Sequence, residues 1–172
     1  MSIRHTTEKI VFIIITSLIS QQIYSCENKN TSWESMEESY ITLQSDSGQI
    51  YEILVKLAIN EDQRRFGFQY VCEQSINQWG ILFVFPSSVR RTFHMQNVEA
   101  PLALAFFRKD GKMISLKVMR TETQERANYL YQIRNKFRYA LEMSIHQMMT
   151  LGLDEGQWFL TLDSRWHAKH AR

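Results

Sequence analysis

The stretch Gly80-Ile81-Leu82-Phe83-Val84-Phe85-Pro86-Ser87-Ser88-Val89-Arg90-Arg91-Thr92-Phe93-His94-Met95-Gln96-Asn97-Val98-Glu99-Ala100-Pro101-Leu102-Ala103-Leu104-Ala105-Phe106-Phe107 decides the fold. Ile81 to Phe85 is a short apolar run, β-branched and aromatic, halted by Pro86; this composition predicts a strand buried on both faces. Arg90 to Gln96 then alternates, with Arg91, Phe93 and Met95 on one face and Thr92, His94 and Gln96 on the other. Pro101 opens a third run in which Leu102, Leu104 and Phe106 share a face and the small Ala103 and Ala105 leave room opposite. Asp110-Gly111 follows between two alternating runs, a strong hairpin signal because both residues tolerate positive φ.

The same reading extends outward. Tyr40 to Leu43 and Ile50 to Ile59 precede the stretch as strands, with Ser45-Asp46-Ser47-Gly48 between them. Asn60 caps a short helix, Gln63 completes a capping box, and Phe66 and Tyr70 form its packing face. Gly67 within that helix is explained by close contact with a strand. Downstream, Lys112 to Arg120 is a strand with Ile114, Leu116 and Val118 inward, and Phe137 to Met143 is another with Tyr139, Leu141 and Met143 on one face. Ser144 caps a helix with an Ile145, Met148 and Met149 stripe, closed by Gly152 in the left-handed position. A turn at Asp154-Glu155-Gly156 leads to a last strand, Gln157 to Leu162. Thr121 to Lys136 reads either as a long loop or as a partial helix. The sum is a mainly β protein with short helices: one compact antiparallel β-rich domain over residues 40–163, a sandwich or partly open barrel.

Gly67, the run Gly80 to Pro86, Phe93-His94-Met95-Gln96-Asn97, Pro101-Leu102-Ala103, Asp110-Gly111 and Tyr139-Ala140-Leu141-Glu142, in that order, resemble the family catalogued as domain of unknown function 192. The likeness spans roughly Ile50 to Leu162. It implies a compact β-rich domain, often exported, and assigns no catalytic or binding residue. The chain departs from the family pattern at His94, where relatives carry Trp, at Gln96, where they carry Lys, and at Ala103, where they carry Asp. It also lacks their Pro-Cys segment after the hairpin. Any site built on those positions in relatives has lost a carboxylate and an ammonium here.

The 172 residues suggest one domain, and a net charge of +2 with 44% hydrophobic residues describes a globular chain rather than a disordered or nucleic-acid-coating one. With two cysteines a disulfide framework is excluded. Arg4, His5 and Lys9 precede an apolar Ile10 to Ile19 segment of signal-peptide length, and Ile23-Tyr24-Ser25-Cys26 resembles a lipobox. Residues 1–26 therefore read as a signal peptide whose Cys26 becomes lipidated, placing the chain outside the cytosol as a membrane-anchored lipoprotein or a periplasmic protein. If Cys26 is not acylated, a disulfide with Cys72 becomes plausible in an oxidising compartment. Residues 27–39 read as a flexible tether and 164–172 as a basic, solvated tail rather than a nucleic-acid arm.

The chemistry-bearing residues are few. No phosphate-cradling glycine loop is present; alternation puts His94 and Met95 on opposite strand faces, and Met148 and Met149 beside His146 fit core packing, so no metal or cofactor is expected. Glu142 is the one carboxylate on a strand among apolar neighbours. The ordinary reading is an outward Glu paired with an Arg such as Arg91; the sharper one is a polar site shared with His94. With no complete catalytic constellation, the leading expectation is a non-enzymatic module that binds an envelope component or partner protein in a groove flanked by His94, Gln96, Asn97 and Glu142. The alternatives are an envelope-acting hydrolase or transferase using His94 and Glu142, and a structural lipoprotein with no pocket.

Overall fold

A computed structural model describes residues 26–123, 128–153 and 157–162. The expected signal peptide up to Ser25, the Asp154 to Gly156 turn and the basic tail with His167 and His170 lie outside the described residues. The chain runs α1 (Thr31–Glu34), β1 (Glu37–Ser45), β2 (Ile50–Ala58), α2 (Glu61–Phe66), α3 (Glu73–Gln78), β3 (Gly80–Val89), β4 (Leu102–Phe107), β5 (Met113–Met119), β6 (Phe137–Ser144), α4 (Ile145–Leu151) and β7 (Trp158–Leu162).

The strands form one seven-stranded sheet in the order β5-β4-β6-β3-β2-β1-β7. The mainly β, single-domain expectation holds, with one refinement: β2 and β3 are parallel, Val55 facing Gly80 and Ala58 facing Phe83, so the sheet is mixed. The cause lies in the connection. A parallel pair cannot be joined by a tight turn, and here α2 and α3 fill the crossover between the two strands. The Asp110-Gly111 hairpin joins β4 and β5 as read, with Gly111 at φ +85°.

The sheet curls until its edges touch at one point without closing. Lys112, beside β5, bridges Phe159 of β7, and the Leu160 N–H donates to the Gly111 carbonyl at 2.8 Å. Curling gives the sheet an inner and an outer face. The inner face gathers side chains from all seven strands, among them Leu43, Leu57, Leu82, Phe107, Leu141 and Leu160, into one apolar core. Ala103 and Ala105 sit in this core, their small side chains admitting the larger neighbours. The outer face, carrying Ile81, Phe83, Phe85, Leu104 and Phe106, is covered by the helical crossover and by Phe93, Met95, Val98 and Ala100 of the segment before β4.

Several local expectations are corrected. Residues 90–96 alternate as read, burying Phe93 and Met95, yet they form no strand; only an isolated bridge joins Phe93 to Tyr131, with hydrogen bonds of 2.8 Å in both directions. Val118 is exposed because β5 is an edge strand. Tyr70 is not on the packing face of α2: the helix ends at Phe66, and buried Gln63 and Phe68 take that role. On α4, Met149 points to solvent while Met148 and Leu151 pack on the inner core. The described part of 121–136 contains no helix.

The segment expected as a tether is docked. Trp33 is buried, and the Asn30 amide donates to the carbonyls of Gly67 (2.9 Å) and Gln69 (2.8 Å) while its oxygen caps α1 at Trp33 N. Trp33 also covers Lys56, whose Nζ lies 4.5 Å from the Trp33 ring centroid, 5.0 Å from that of Trp79 and 3.3 Å from Glu38. Cys26 is joined to Cys72 in a disulfide with Cα atoms 5.9 Å apart. One sulfur cannot be both a thioether and half of a disulfide, so in this structure Cys26 is not the lipidation residue expected above.

Candidate functional site

A cleft of about 520 Å³ opens between α2, the turn after it, β3 and the 91–98 segment. Its floor is aromatic: Phe83 and Phe93 meet edge to face with ring centroids 5.3 Å apart, and Phe85 lies beside them. Its rim is cationic, with Arg64, Arg65 and Arg91 beside the acidic Glu61. Glu142 opens into it from the sheet.

The sequence dictates this shape locally. Asn60 and Gln63 form the predicted capping box and fix the start of α2. One turn later Arg64 reaches back to the sheet, donating to the carbonyls of Ile59 and Val84, the latter at 3.1 Å, with its guanidinium over the Phe85 ring. Burial lowers the Arg64 pKa; Glu61 opposes that effect and Arg91 adds to it, so the two guanidiniums stand within electrostatic range of each other. Arg91 makes no ion pair among the described residues. Gly67 then ends the helix at φ +46°, ψ −125°, a conformation closed to residues with a side chain. A Cβ at Gly67 would stand 3.2 Å from Phe83 and 3.5 Å from Glu142 Oε2, so the glycine keeps the approach to that carboxyl open. The expected close contact of Gly67 with a strand is thus observed.

Glu142 lies on β6, near the middle of the sheet. Its partners in register are apolar: Ile81 of β3 on one side and Leu104 of β4 on the other. It is 5% exposed and makes no hydrogen bond or ion pair among the described residues. Burial pushes its pKa up to about 8, so the carboxyl is mostly protonated at neutral pH. The ordinary reading, an outward Glu paired with Arg91, is overturned. Alternation along β6 sends Leu141 and Met143 to the inner core and turns Glu142 to the outer face, beneath α2 and Gly67.

Of the four groove residues expected from sequence, the structure brings His94 and Glu142 to the same cleft. The Gln96 N–H donates to His94 Nδ1 at 3.3 Å, which places the proton of the neutral ring on Nε2. Gln96 and Asn97 do not line the cleft. Asn97 instead braces its rim, its amide donating to the Tyr70 hydroxyl at 2.7 Å and its carbonyl accepting from Tyr70 N at 2.8 Å. Both residues hold left-handed backbone, at φ +57° and +58°, which for a bulky Tyr is strained. Sequence reasoning missed Arg64 and Arg65 as site residues. Clustered arginines beside an early glycine were the available signal, but only the docking of α2 on β3 shows where they point. The expectation of a structural protein with no pocket does not fit this cleft.

This sheet, with its helical crossover, carries a family signature: the family model described as DUF192, Uncharacterized ACR, matches residues 42–159. The chain belongs to that family. Among solved structures, a crystal structure from Sinorhizobium meliloti, described as a candidate transcription regulator, superposes with a TM-score of 0.66 at 23% identity, covering 74% of this chain and 95% of the other. A protein of unknown function from Novosphingobium aromaticivorans superposes with a TM-score of 0.60 at 19% identity, covering 73% of this chain and 86% of the other. At these identities both likenesses speak to the fold. The comparison with curated proteins gave no significant match.

Proposed function

We propose that the protein is an exported, non-enzymatic binding module that takes an envelope component, or a group on a partner protein, into the cleft above Glu142. One observation carries the reading. Among the described residues the outer face buries two ionisable side chains: Lys56 is satisfied by Glu38 and two indoles, whereas Glu142 has no protein partner and opens into a cavity. Burial disfavours the charged form of that carboxyl, and because it faces the cleft, a group entering from solution can reach it and hydrogen-bond to it. The Cys26–Cys72 bridge supports export, since structural disulfides persist in oxidising compartments.

A second reading, a hydrolase or transferase, rests on the shared cleft of His94 and Glu142: a carboxyl with a pKa of about 8 is a proton donor at neutral pH. Among the described residues neither group is hydrogen-bonded to a hydroxyl or thiol, although Ser87 and Thr92 line the cleft, and Cys72 is taken up in the disulfide, which favours binding over turnover.

Native mass spectrometry of the chain recovered from its own cells tests the proposal. The wild type is expected to carry a small molecule, or to co-purify with a partner, that Glu142→Leu lacks. An empty wild type, or equal occupancy in both, contradicts it. The same spectrum reads the address: a disulfide removes two hydrogens from the mass, whereas acylation of Cys26 adds fatty chains.

A further inference from the structure

Resting on the reading of the cleft as a binding site, we propose that its occupant is an amphiphile: an oxyanion head held at the arginine rim and an apolar body lying on the phenyl floor beside Glu142. Two independent features of the walls point to it. Arg91 stands close enough to Arg64 to disfavour its charge, Glu61 is the acidic side chain on the rim beside them, and Arg91 has no ion-pair partner among the described residues. Like charges brought together around an opening create a positive field that one anion relieves, and guanidiniums pair carboxylates and phosphates in fork geometry. Arg64 is pre-positioned for this, because the Ile59 and Val84 carbonyls and the Phe85 ring fix its side chain before any ligand arrives.

Below the rim the chemistry changes. Phe83, Phe85 and Phe93 present ring surface, and the Glu142 carboxyl, with no partner among the described residues, lies beside them. An ionised group is not welcome there, for burial alone already holds the carboxyl neutral. A small inorganic anion would use the rim and leave the floor wet, and a neutral apolar molecule would leave the arginines unpaired. Only a molecule with both parts uses both walls. A carboxylate and a phosphate head satisfy the rim equally, so the head is assigned by experiment.

The probe is 8-anilinonaphthalene-1-sulfonate, which joins an oxyanion to an aromatic body, followed by fluorescence on the disulfide-bonded chain as purified from cells. Octanoate, octyl phosphate and octanol serve as competitors. The expected result is one dye per chain, displaced by octanoate or octyl phosphate at concentrations roughly tenfold or more below those needed for octanol. The stronger of the two anions identifies the head. Arg91→Gln, an exposed position, should weaken dye binding by about tenfold while moving the melting temperature by less than ~2 °C. Arg64→Gln is the less informative variant, since it also strips two carbonyls of their donor. If octanol competes as well as the anions and Arg91→Gln binds normally, the anionic head is overturned while the cleft stands as a binding site. If the dye does not bind, or binds without displacement by any of the three, both this inference and the binding reading fall.

Discussion

The two faces of the sheet are built from the same strands by the same alternation, yet one is finished and the other is not. The inner face takes side chains from all seven strands and buries no ionisable group among the described residues, its one buried polar atom without a partner being the Trp158 indole nitrogen. The outer face is just as deeply buried along β3, β4 and β6, but it includes Lys56 and Glu142. Leu141 and Glu142 state the contrast within one strand: consecutive residues, both buried, one in a sealed core and one under a cleft. A face made only for stability would carry an aliphatic residue at position 142, as its register partners Ile81 and Leu104 do. That difference is what the proposed binding role rests on.

The largest effect should come from making the inner face resemble the outer one. Leu141→Gln places an amide where nothing can partner it, losing aliphatic burial and leaving unsatisfied polar atoms; together these should remove roughly 4 kcal/mol or more of stability. Urea unfolding measures it, and a loss below about 1 kcal/mol would mean the two faces are not distinct. Next comes the strap behind the cleft. Cys26 and Cys72 close a loop of 46 residues, and the chain-entropy relation puts the bridge at about 4 kcal/mol. Asn28 and Asn30 of the strapped segment hold the Cys72 N–H and the Gly67 and Gln69 carbonyls. Cys72→Ser should therefore lower the unfolding midpoint and also weaken dye binding, because the Gly67 turn forms part of the cleft. A variant that loses stability but binds normally would separate the strap from the site.

Much of this was legible in the residues. The strands follow from alternation, and Asn60, Ser144 and Gly152 cap their helices as read, Gly152 at φ +61°. Those signals are local, so a sequence carries them directly. The parallel pairing of β2 with β3 was not legible, because it depends on which faces the crossover helices cover. The docking of residues 27–39 was hidden for a related reason: Asn30 and Trp33 sit in a polar stretch, and their partners Gly67, Gln69 and Lys56 are far along the chain. Glu142 is visible in the sequence as a charge in an apolar strand, and the structure puts His94 on the same cleft. Gln96 and Asn97 fall outside the cleft because the chain turns at Asn97 into left-handed backbone, which alternation cannot reveal.

The smallest of the three effects tests the central claim most directly. The Glu142 carboxyl is held above its ordinary pKa of 4.5, at about 8, so between those values the folded chain binds one more proton than the unfolded chain. Stability from this group is complete below the ordinary value and is lost as pH rises through the folded one. Glu142→Gln cannot titrate, while Glu61, Arg64, Arg91 and His94 are common to both proteins and cancel in the difference. Urea unfolding of wild type and Glu142→Gln from pH 5 to 8.5 should give nearly equal stabilities at the acid end and an advantage for the glutamine protein on the order of 3 kcal/mol at the alkaline end. A difference that stays constant across that range would show a carboxyl that is ionised or partnered throughout, and would contradict the account.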